Sequence, residues 1–551
     1  MSPAAANSVD AALQSLQGAD TLTLEERIAL CEQCLARLAE LGEEWGQQAA
    51  VSKGFAADSP MRAEDIMSGP CVIARQLHLT MQTLHSLRAH GRPRLPGPIR
   101  RNTAGILTAA VFPTKGLFDP LAFMGLSGEV RMQSHVTPET IHGDLPEQVL
   151  SDEISGICAV LGAGNVSSIP ATDTLNKIMF EGRRVALKLN PVNDYLADVL
   201  HRAFQPLVDR SLLQLLTGGA ETGAALIQAD SVTEAHITGS LHTMNAILWG
   251  TDDAADRRRQ AGTPLFAKPL TGELGNVTPW IIVPGAYSRR QLRSQAEHIA
   301  ASITNNASFN CLASKVLVTS RSWPQRDEFL DLIDGYLQQT PTRPAYYPGA
   351  VERFERYARR DPGGLPDRHL PWTLLRDQTP AERPELFREE SFVCVCAETQ
   401  LDEARPDHFL AAATDFVNQQ LLGTLCASVT VPSGFRQQHA ACMEDALQRL
   451  QYGTVCVNQW SGPAYGLISP PWGGYALADN HDSGIGSVHN TYLLQDFEKT
   501  VLYGPLVDVL RPVWFPSHRN GLKVAQSLLH LYARPSVWRV PRLGIAAGLG
   551  L

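Results

Sequence analysis

The feature that most constrains this chain is an alternation of two textures. Short continuous apolar runs stopped by glycine or proline, such as Gly105-Ile-Leu-Thr-Ala-Ala-Val-Phe112 and Gly156-Ile-Cys-Ala-Val-Leu161, are separated by longer stretches with helical periodicity. Runs apolar at every position read as strands buried on both faces, with helices supplying the cover. Arg184-Val-Ala-Leu-Lys188 is another, followed by a helix-like stretch from Asp194 to Leu207 and short strands around Ala225–Ile227 and Glu234–Thr238. This order implies a parallel, doubly wound sheet. After Glu273 the alternation resumes with Trp280-Ile-Ile-Val283, a helix from Ser288 to Asn305, the strand Val316–Thr319 and a helix from Gln325 to Leu337. That is a second α/β unit. Residues 340–388, rich in Pro, Arg and Asp, read as surface loops.

Ahead of the first sheet, Thr23-Leu-Glu-Glu26 forms a capping box before an apolar pattern through Leu30, Leu35, Leu38 and Leu41, so a helix starts there. Cys31 and Cys34 lie one turn apart on it with no second pair nearby, which favours core packing over metal or redox chemistry. Ten cysteines in 551 residues are too sparse for a disulfide scaffold. The hydrophobic share of 44% against 19% charged excludes a disordered chain. A formal charge of −9 argues against nucleic acid as the main partner. No apolar stretch approaches the ~20 residues of a membrane span, and no charged n-region precedes Arg27. The expected location is the cytoplasm.

Three residues stand in settings suited to chemistry. Cys311 follows the polar run Asn305-Asn-Ala-Ser-Phe-Asn310, between a predicted helix and a buried strand, and a thiolate both attacks electrophilic carbon and leaves well. Glu273 sits between glycines in Thr271-Gly-Glu-Leu-Gly-Asn276, where backbone can approach a ligand closely. Asn165 ends the small-residue turn Gly162-Ala-Gly-Asn165 at the carboxyl edge of the first sheet, where open α/β sheets bind ligands. Taken singly, each also reads as a buried thiol, a solvated turn acid and an ordinary turn amide.

Together with Lys188, Thr238-Gly239-Ser240, Glu389-Glu390-Ser-Phe392, Asn418, Gly453-Thr-Val-Cys-Val-Asn458, Pro471-Trp-Gly-Gly474, Ser483-Gly-Ile-Gly486 and Lys499-Thr-Val501, these residues follow one another in an order and at gaps that resemble the NAD(P)-dependent aldehyde dehydrogenase superfamily. The likeness runs from roughly residue 20 to 505. It implies two doubly wound α/β domains, one for the cofactor (1–129 and 156–268) and one catalytic (269–475). It adds a small β oligomerisation arm (130–155 and 487–505), and a basic amphipathic extension (506–551) follows. Departures mark a divergent member. Ala163-Gly-Asn165 stands for Pro-Trp-Asn, Glu273-Leu-Gly-Asn276 for Glu-Leu-Gly-Gly, and Ser308-Phe309 for the Gly-Gln before the nucleophile, while about Ala478 to Asp482 look inserted.

The resemblance implies that Cys311 is the nucleophile, Asn165 an oxyanion donor and Glu273 the base that activates water for thioester hydrolysis. It also implies that Lys188, Gly239, Ser240, Glu390 and Phe392 hold NAD or NADP; Pro191, where many NAD-preferring members carry Glu, leaves the choice between them open. No metal is implied. The expected reaction is oxidation of an aldehyde to an acid, by a homodimer or homotetramer in which the strand near Thr500–Tyr503 pairs across a subunit boundary. Phe309, Trp460 and Trp472 suggest an apolar or long-chain aldehyde. The alternatives are an acyl-CoA or acyl-thioester reductase and a non-catalytic scaffold. In the basic tail, Leu522, Ala525, Leu528, Leu529 and Tyr532 form one helical face between Gly521 and Pro535. Packing of that face is preferred over a membrane contact that would make the protein peripheral, with Trp514, Phe515 and Trp538 at the interface.

Overall fold

The sixteen strands of the computed structural model, which describes residues 3–18 and 20–550, fall into two sheets. In chain order the first are β1 (Ile99–Arg101), β2 (Leu107–Phe112) and β3 (Ser127–Met132). Next come β4 (Ile157–Leu161), β5 (Arg184–Lys188), β6 (Leu213–Leu216), β7 (Val232–Gly239) and β8 (Leu270–Leu274). They are followed by β9 (Pro279–Ile282), β10 (Val316–Ser320), β11 (Thr373–Leu375), β12 (Val395–Leu401), β13 (Cys426–Thr430) and β14 (Thr454–Val457). The last two are β15 (Gly484–Ile485) and β16 (Phe497–Tyr503).

The smaller sheet has the order β15-β8-β7-β4-β5-β6 and is parallel from β8 to β6. The larger is β1-β2-β3-β16-β14-β13-β9-β10-β12-β11, parallel from β16 to β11. Every residue of β5, β10, β13 and β14 is buried, which is why these strands are apolar without alternation. The capping box at Thr23 and Glu26 opens the helix Leu24–Ser52, which buries both Cys31 and Cys34. Trp45 of this helix is fully buried and its indole N–H donates to Ser167 Oγ at 2.9 Å, fixing the helix against the loop that follows β4.

Four expectations are corrected. Ala225–Ile227 is the end of a helix, Ala220–Gln228, not a strand; its Ala-rich sequence has strong intrinsic helix propensity. β2 is not part of the smaller sheet, so the segment 1–129 is divided: its helices pack beside the smaller sheet, while β1, β2 and the first half of β3 join the larger one in antiparallel register. The 340–388 stretch holds the helix Ala350–Ala358 and β11 as well as loops. The expected exchange of a strand between subunits gives way to pairing within the chain. β16 takes β14 on one edge (Thr454 beside Thr500) and β3 on the other (Thr500 beside Val130), leaving no free edge on that strand. Residues 458–496 form a connection long enough to return the strand parallel to its own sheet.

Candidate active site

The site forms where the two sheets meet. β4 ends at Leu161, so the turn Gly162–Asn165 lies at the carboxyl edge of the smaller sheet, and β8 brings Glu273 beside Thr238 of β7. Cys311 comes from the loop between the helix Arg289–Thr304 and β10. That loop is wound unusually: Asn306, Ala307 and Ser308 have φ of 51°, 52° and 69°, three successive side-chain-bearing residues in the left-handed region, each at a cost of roughly 1–2 kcal/mol.

Buried polar contacts hold the loop in that shape. The Asn306 amide donates to the carbonyls of Asn165 (2.8 Å) and Phe309 (3.1 Å). Its Oδ1 accepts from Lys53 Nζ (2.8 Å) and the Tyr346 hydroxyl (3.0 Å). Lys53 is in turn paired with Asp65. From the other side, the Lys315 ammonium donates to Ser308 Oγ (3.1 Å) and the Val393 carbonyl (2.7 Å). Asn165 is drawn into the same network, donating one amide hydrogen to the Phe309 carbonyl at 3.0 Å. Its second amide hydrogen is the one left for a ligand.

At the centre, the Cys311 thiol donates to Glu273 Oε1 across 3.6 Å. Burial, reinforced by the charge of Asp173, pushes the Glu273 carboxyl up to about 8. Burial and the neighbouring Glu273 likewise push the Cys311 thiol upward. Both groups are therefore mainly protonated at neutral pH, and each ionises only at the other's expense. Asp173 is itself buried, accepts from the Thr238 hydroxyl at 2.8 Å and lies 3.5 Å from His236 Nε2.

A cleft of about 950 Å³ runs from this pair along the smaller sheet. It is lined by Asn165, Lys188, Gly239, Ser240, Glu273, Cys311, Glu390 and Phe392, the eight residues to which the resemblance gave catalytic or cofactor roles. Ser240 caps the helix Leu241–Trp249, its hydroxyl accepting from the Thr243 N–H. Glu390 packs over Gly275, where a Cβ would fall 2.1 Å from its carboxylate; glycine alone leaves that room. Burial pushes Glu390 up to about 7 and lowers Lys315 to about 8, each countered by the other's charge.

The aldehyde dehydrogenase family model matches residues 126–347, the stretch carrying Asn165, Lys188, Glu273 and Cys311. Over that stretch, less than half of the chain, the sequence is similar to the aldehyde dehydrogenase family. Aldehyde dehydrogenase LUC3 of a Fusarium species is 27% identical over 177 residues, 31% of this chain and 35% of that protein, so the chain matches about a third of that relative's length. Among solved structures, an indole-3-acetaldehyde dehydrogenase complexed with NAD+ is similar with a TM-score of 0.61 at 17% identity, covering 91% of this chain and 89% of the other. An NADP-dependent glyceraldehyde-3-phosphate dehydrogenase from Bacillus halodurans C-125, complexed with NADP, gives 0.59 at 16%, with 91% of each chain covered. The two-domain fold is that of these enzymes.

Several features of this aldehyde dehydrogenase fold had no local signal in the sequence. Lys53, Asp65 and Tyr346 shape the nucleophile loop from far away in the chain. Tyr347 and Arg353 line the cleft opposite Glu390, and Arg353 Nε and Nη2 are buried with no hydrogen-bond partner among the described residues. The aromatic expectation is corrected. Phe309, Trp460 and Trp472 are all core residues: Phe309 packs on Tyr346 and Tyr347, Trp460 donates to the Leu312 carbonyl, and Trp472 packs on Tyr465. The aromatic side chains that do line the cleft are Tyr347, Phe392 and Phe266. Asn418 and Lys499 are structural, bonded to backbone groups around the end of the helix Ala440–Arg449.

Proposed function

We propose that the chain oxidises an aldehyde to a carboxylic acid with NAD or NADP. The observation that carries this reading is a cysteine thiol 3.6 Å from a buried carboxyl in the lining of a cleft of about 950 Å³. The lining suits such a cofactor: the buried Glu390 Oε1 and the Arg353 Nε and Nη2 lack hydrogen-bond partners among the described residues, while Arg353 Nη1 donates to the Pro348 carbonyl. Lys188 would meet the adenine ribose, Gly239 and Ser240 the diphosphate at a helix N-terminus, and Glu390 with Phe392 the second ribose. Bound there, the cofactor supplies a nicotinamide that accepts hydride.

The residues of the chain carry the other steps. As Cys311 Sγ bonds to the aldehyde carbon, the thiol proton is lost to solvent water and the former carbonyl oxygen takes the negative charge. The second amide hydrogen of Asn165 and the Cys311 N–H stabilise that oxygen, each such donor being worth ~3–4 kcal/mol. Loss of hydride leaves a thioester on Cys311. Glu273, once its own proton has been released to solvent, removes a proton from water as the water oxygen attacks the thioester carbon; the C–S bond breaks, the departing thiolate takes that proton from Glu273, and the acid is the product.

A panel of aldehydes of increasing chain length, assayed with NAD and NADP separately and with the acid product measured, tests the reading. Reduced nicotinamide with stoichiometric acid is expected. Acyl-CoA-dependent oxidation of NADPH without it would favour the reductase, and no turnover together with no thiol reacting faster than the rest would favour the scaffold. The homodimer or homotetramer implied by the resemblance is measured by light scattering in the same preparation; with β16 paired on both edges, association would use another surface.

A further inference from the structure

The described residues expose ten large apolar side chains, and five of them follow Asp508: Val509, Val537, Trp538, Ile545 and Leu549. Scattered singly, such residues need no explanation; gathered on one element they mark a contact surface. Trp538 (87% exposed), Ile545 (65%) and Leu549 (68%) are spaced by seven and four residues, a helical stripe running through the turn Val537–Arg539 and the helix Val540–Gly548. Arg542, three residues before Ile545, is exposed on the same side. The opposite side, Leu543 and Ala546, is buried against Val524 and Leu531. The preceding helix, Gly521–Ala533, buries Ala525, Leu529 and Tyr532 in the main core, and the Tyr532 hydroxyl accepts from Arg75 at 3.0 Å. The packing expected of that helix is therefore present, and it holds the second helix out as a rigid ridge. Trp514 and Phe515 lie against His298 and take no part in it.

The rim of this ridge is basic. Lys523, His530 and Arg534 are exposed at spacings of seven and four on the helix Gly521–Ala533. The Arg539 guanidinium donates to the His530 carbonyl, and Arg539 and Arg542 lie close enough to His530 to add to the lowering that burial imposes on it, opposed by Glu43. No Asp or Glu follows Asp508 in the chain.

We infer that this ridge docks on an anionic lipid surface, with Trp538, Ile545 and Leu549 at the level of the headgroups and Arg534, Arg539 and Arg542 facing their phosphates. An exposed Trp beside aliphatic side chains, ringed by arginines, matches the amphipathic and electrostatic demands of such an interface. A symmetric contact with a second copy fits less well, because it would set Arg534, Arg539 and Arg542 against their own images, and no acid follows Asp508 to pair with them; Glu43, on the neighbouring helix, is the acid that acts on His530. No helix among the described residues is long and apolar enough to cross a membrane, so the contact is a surface one. The inference stands apart from the catalytic reading, and its test needs no turnover.

The test is co-sedimentation of the full chain with vesicles of phosphatidylcholine alone or with about 30 mol% phosphatidylserine. Binding to the anionic vesicles only, reversed by salt, is expected. Trp538→Ser/Ile545→Ser/Leu549→Ser should abolish it and Arg534→Gln/Arg542→Gln should weaken it about tenfold or more. Thermal midpoint and light-scattering mass should stay unchanged, since all five side chains are exposed. Absence of wild-type binding, or equal partitioning of wild type and both variants, overturns the inference. A fall in mass on the triple substitution also overturns it, by making the ridge a contact between copies.

Discussion

Away from Cys311 the cleft is lined by small residues at the start of two helices, Gly219, Ala220, Gly223 and Ala224 at one and Ser240, Thr243 and Ala246 at the other, together with the larger Ile227, Ile247, Leu265 and Phe266 and with Lys188 at the end of β5. At the Cys311 end a network of buried hydrogen bonds engages many of the polar groups, with Glu390 Oε1 and Arg353 Nε and Nη2 left without partners among the described residues. Asn165 gives an amide hydrogen to Phe309, Asn306 uses both ends of its amide, and Cys311 donates to Glu273. The difference separates two tasks. One end leaves open space, where a ligand would need little rearrangement to enter; at the other, burial raises Cys311 and Glu273 alike and keeps both mainly neutral.

The sharpest way to break this comparison is to remove chemistry from one end only. Cys311→Ala should lower aldehyde turnover on the order of 10^4-fold or more while leaving cofactor affinity unchanged, as measured by fluorescence titration of reduced cofactor. A matching loss of cofactor affinity would mean the two ends are not independent.

Glu273→Gln should come next in size. Only hydrolysis of the thioester needs the base throughout, so rapid mixing should show a burst of reduced nicotinamide followed by a steady state slowed roughly 10^2–10^4-fold. An equal fall in both phases would move Glu273 out of the hydrolytic role. The same variant reports on stability. Because the folded protein keeps the Glu273 proton up to about 8, whereas an unfolded carboxyl releases it near pH 4, this residue makes the native state lose stability as pH rises between those values. Glu273→Gln should remove that slope, raising relative stability most at pH 8, as read from urea midpoints at pH 5 and pH 8.

A smaller effect tests the cause of that shift. Asp173 is the charge that adds to burial in raising Glu273. In Asp173→Asn the Thr238 hydroxyl keeps an acceptor but the charge is gone, so the limb of the pH–rate profile that rises through about 8 should move to lower pH by about one unit. An unmoved limb would assign the shift to burial alone.

The unequal legibility of the two ends follows from the range of the interactions that build them. β4, β5, β9 and β10 and the helix Arg289–Thr304 could be read directly, because burial on both faces and a capping Ser288 are written in neighbouring residues. The cleft residues were legible through order and spacing. The clamp on Asn306 joins Tyr346, 40 residues away, with Lys53, 253 residues away, and the choice of β14 and β3 as partners for β16 is also non-local. Phe309, Trp460 and Trp472 misled because proximity in sequence to the nucleophile and the glycine pair says nothing about which way a large ring turns.

The smallest expected effect lies at Ser308, where glycine precedes the nucleophile in the pattern this chain resembles. Its φ of 69° favours glycine, and relief of that strain is worth roughly 1–2 kcal/mol. Against it stand ~0.5–1 kcal/mol for the added freedom of glycine in the unfolded chain and the loss of a hydroxyl that accepts from the buried Lys315 ammonium at 3.1 Å. A hydrogen bond to a charged group contributes about 1.5–3 kcal/mol, so the losses outweigh the gain. Ser308→Gly should therefore destabilise the protein by about 1 kcal/mol by urea titration, although backbone geometry alone favours it. In a Lys315→Met background, where no ammonium waits for the hydroxyl, the same substitution should become neutral or stabilising. Stabilisation in the wild-type background would show that strain in the loop outweighs the Lys315 contact, and that the nucleophile end is held more loosely than its hydrogen bonds imply.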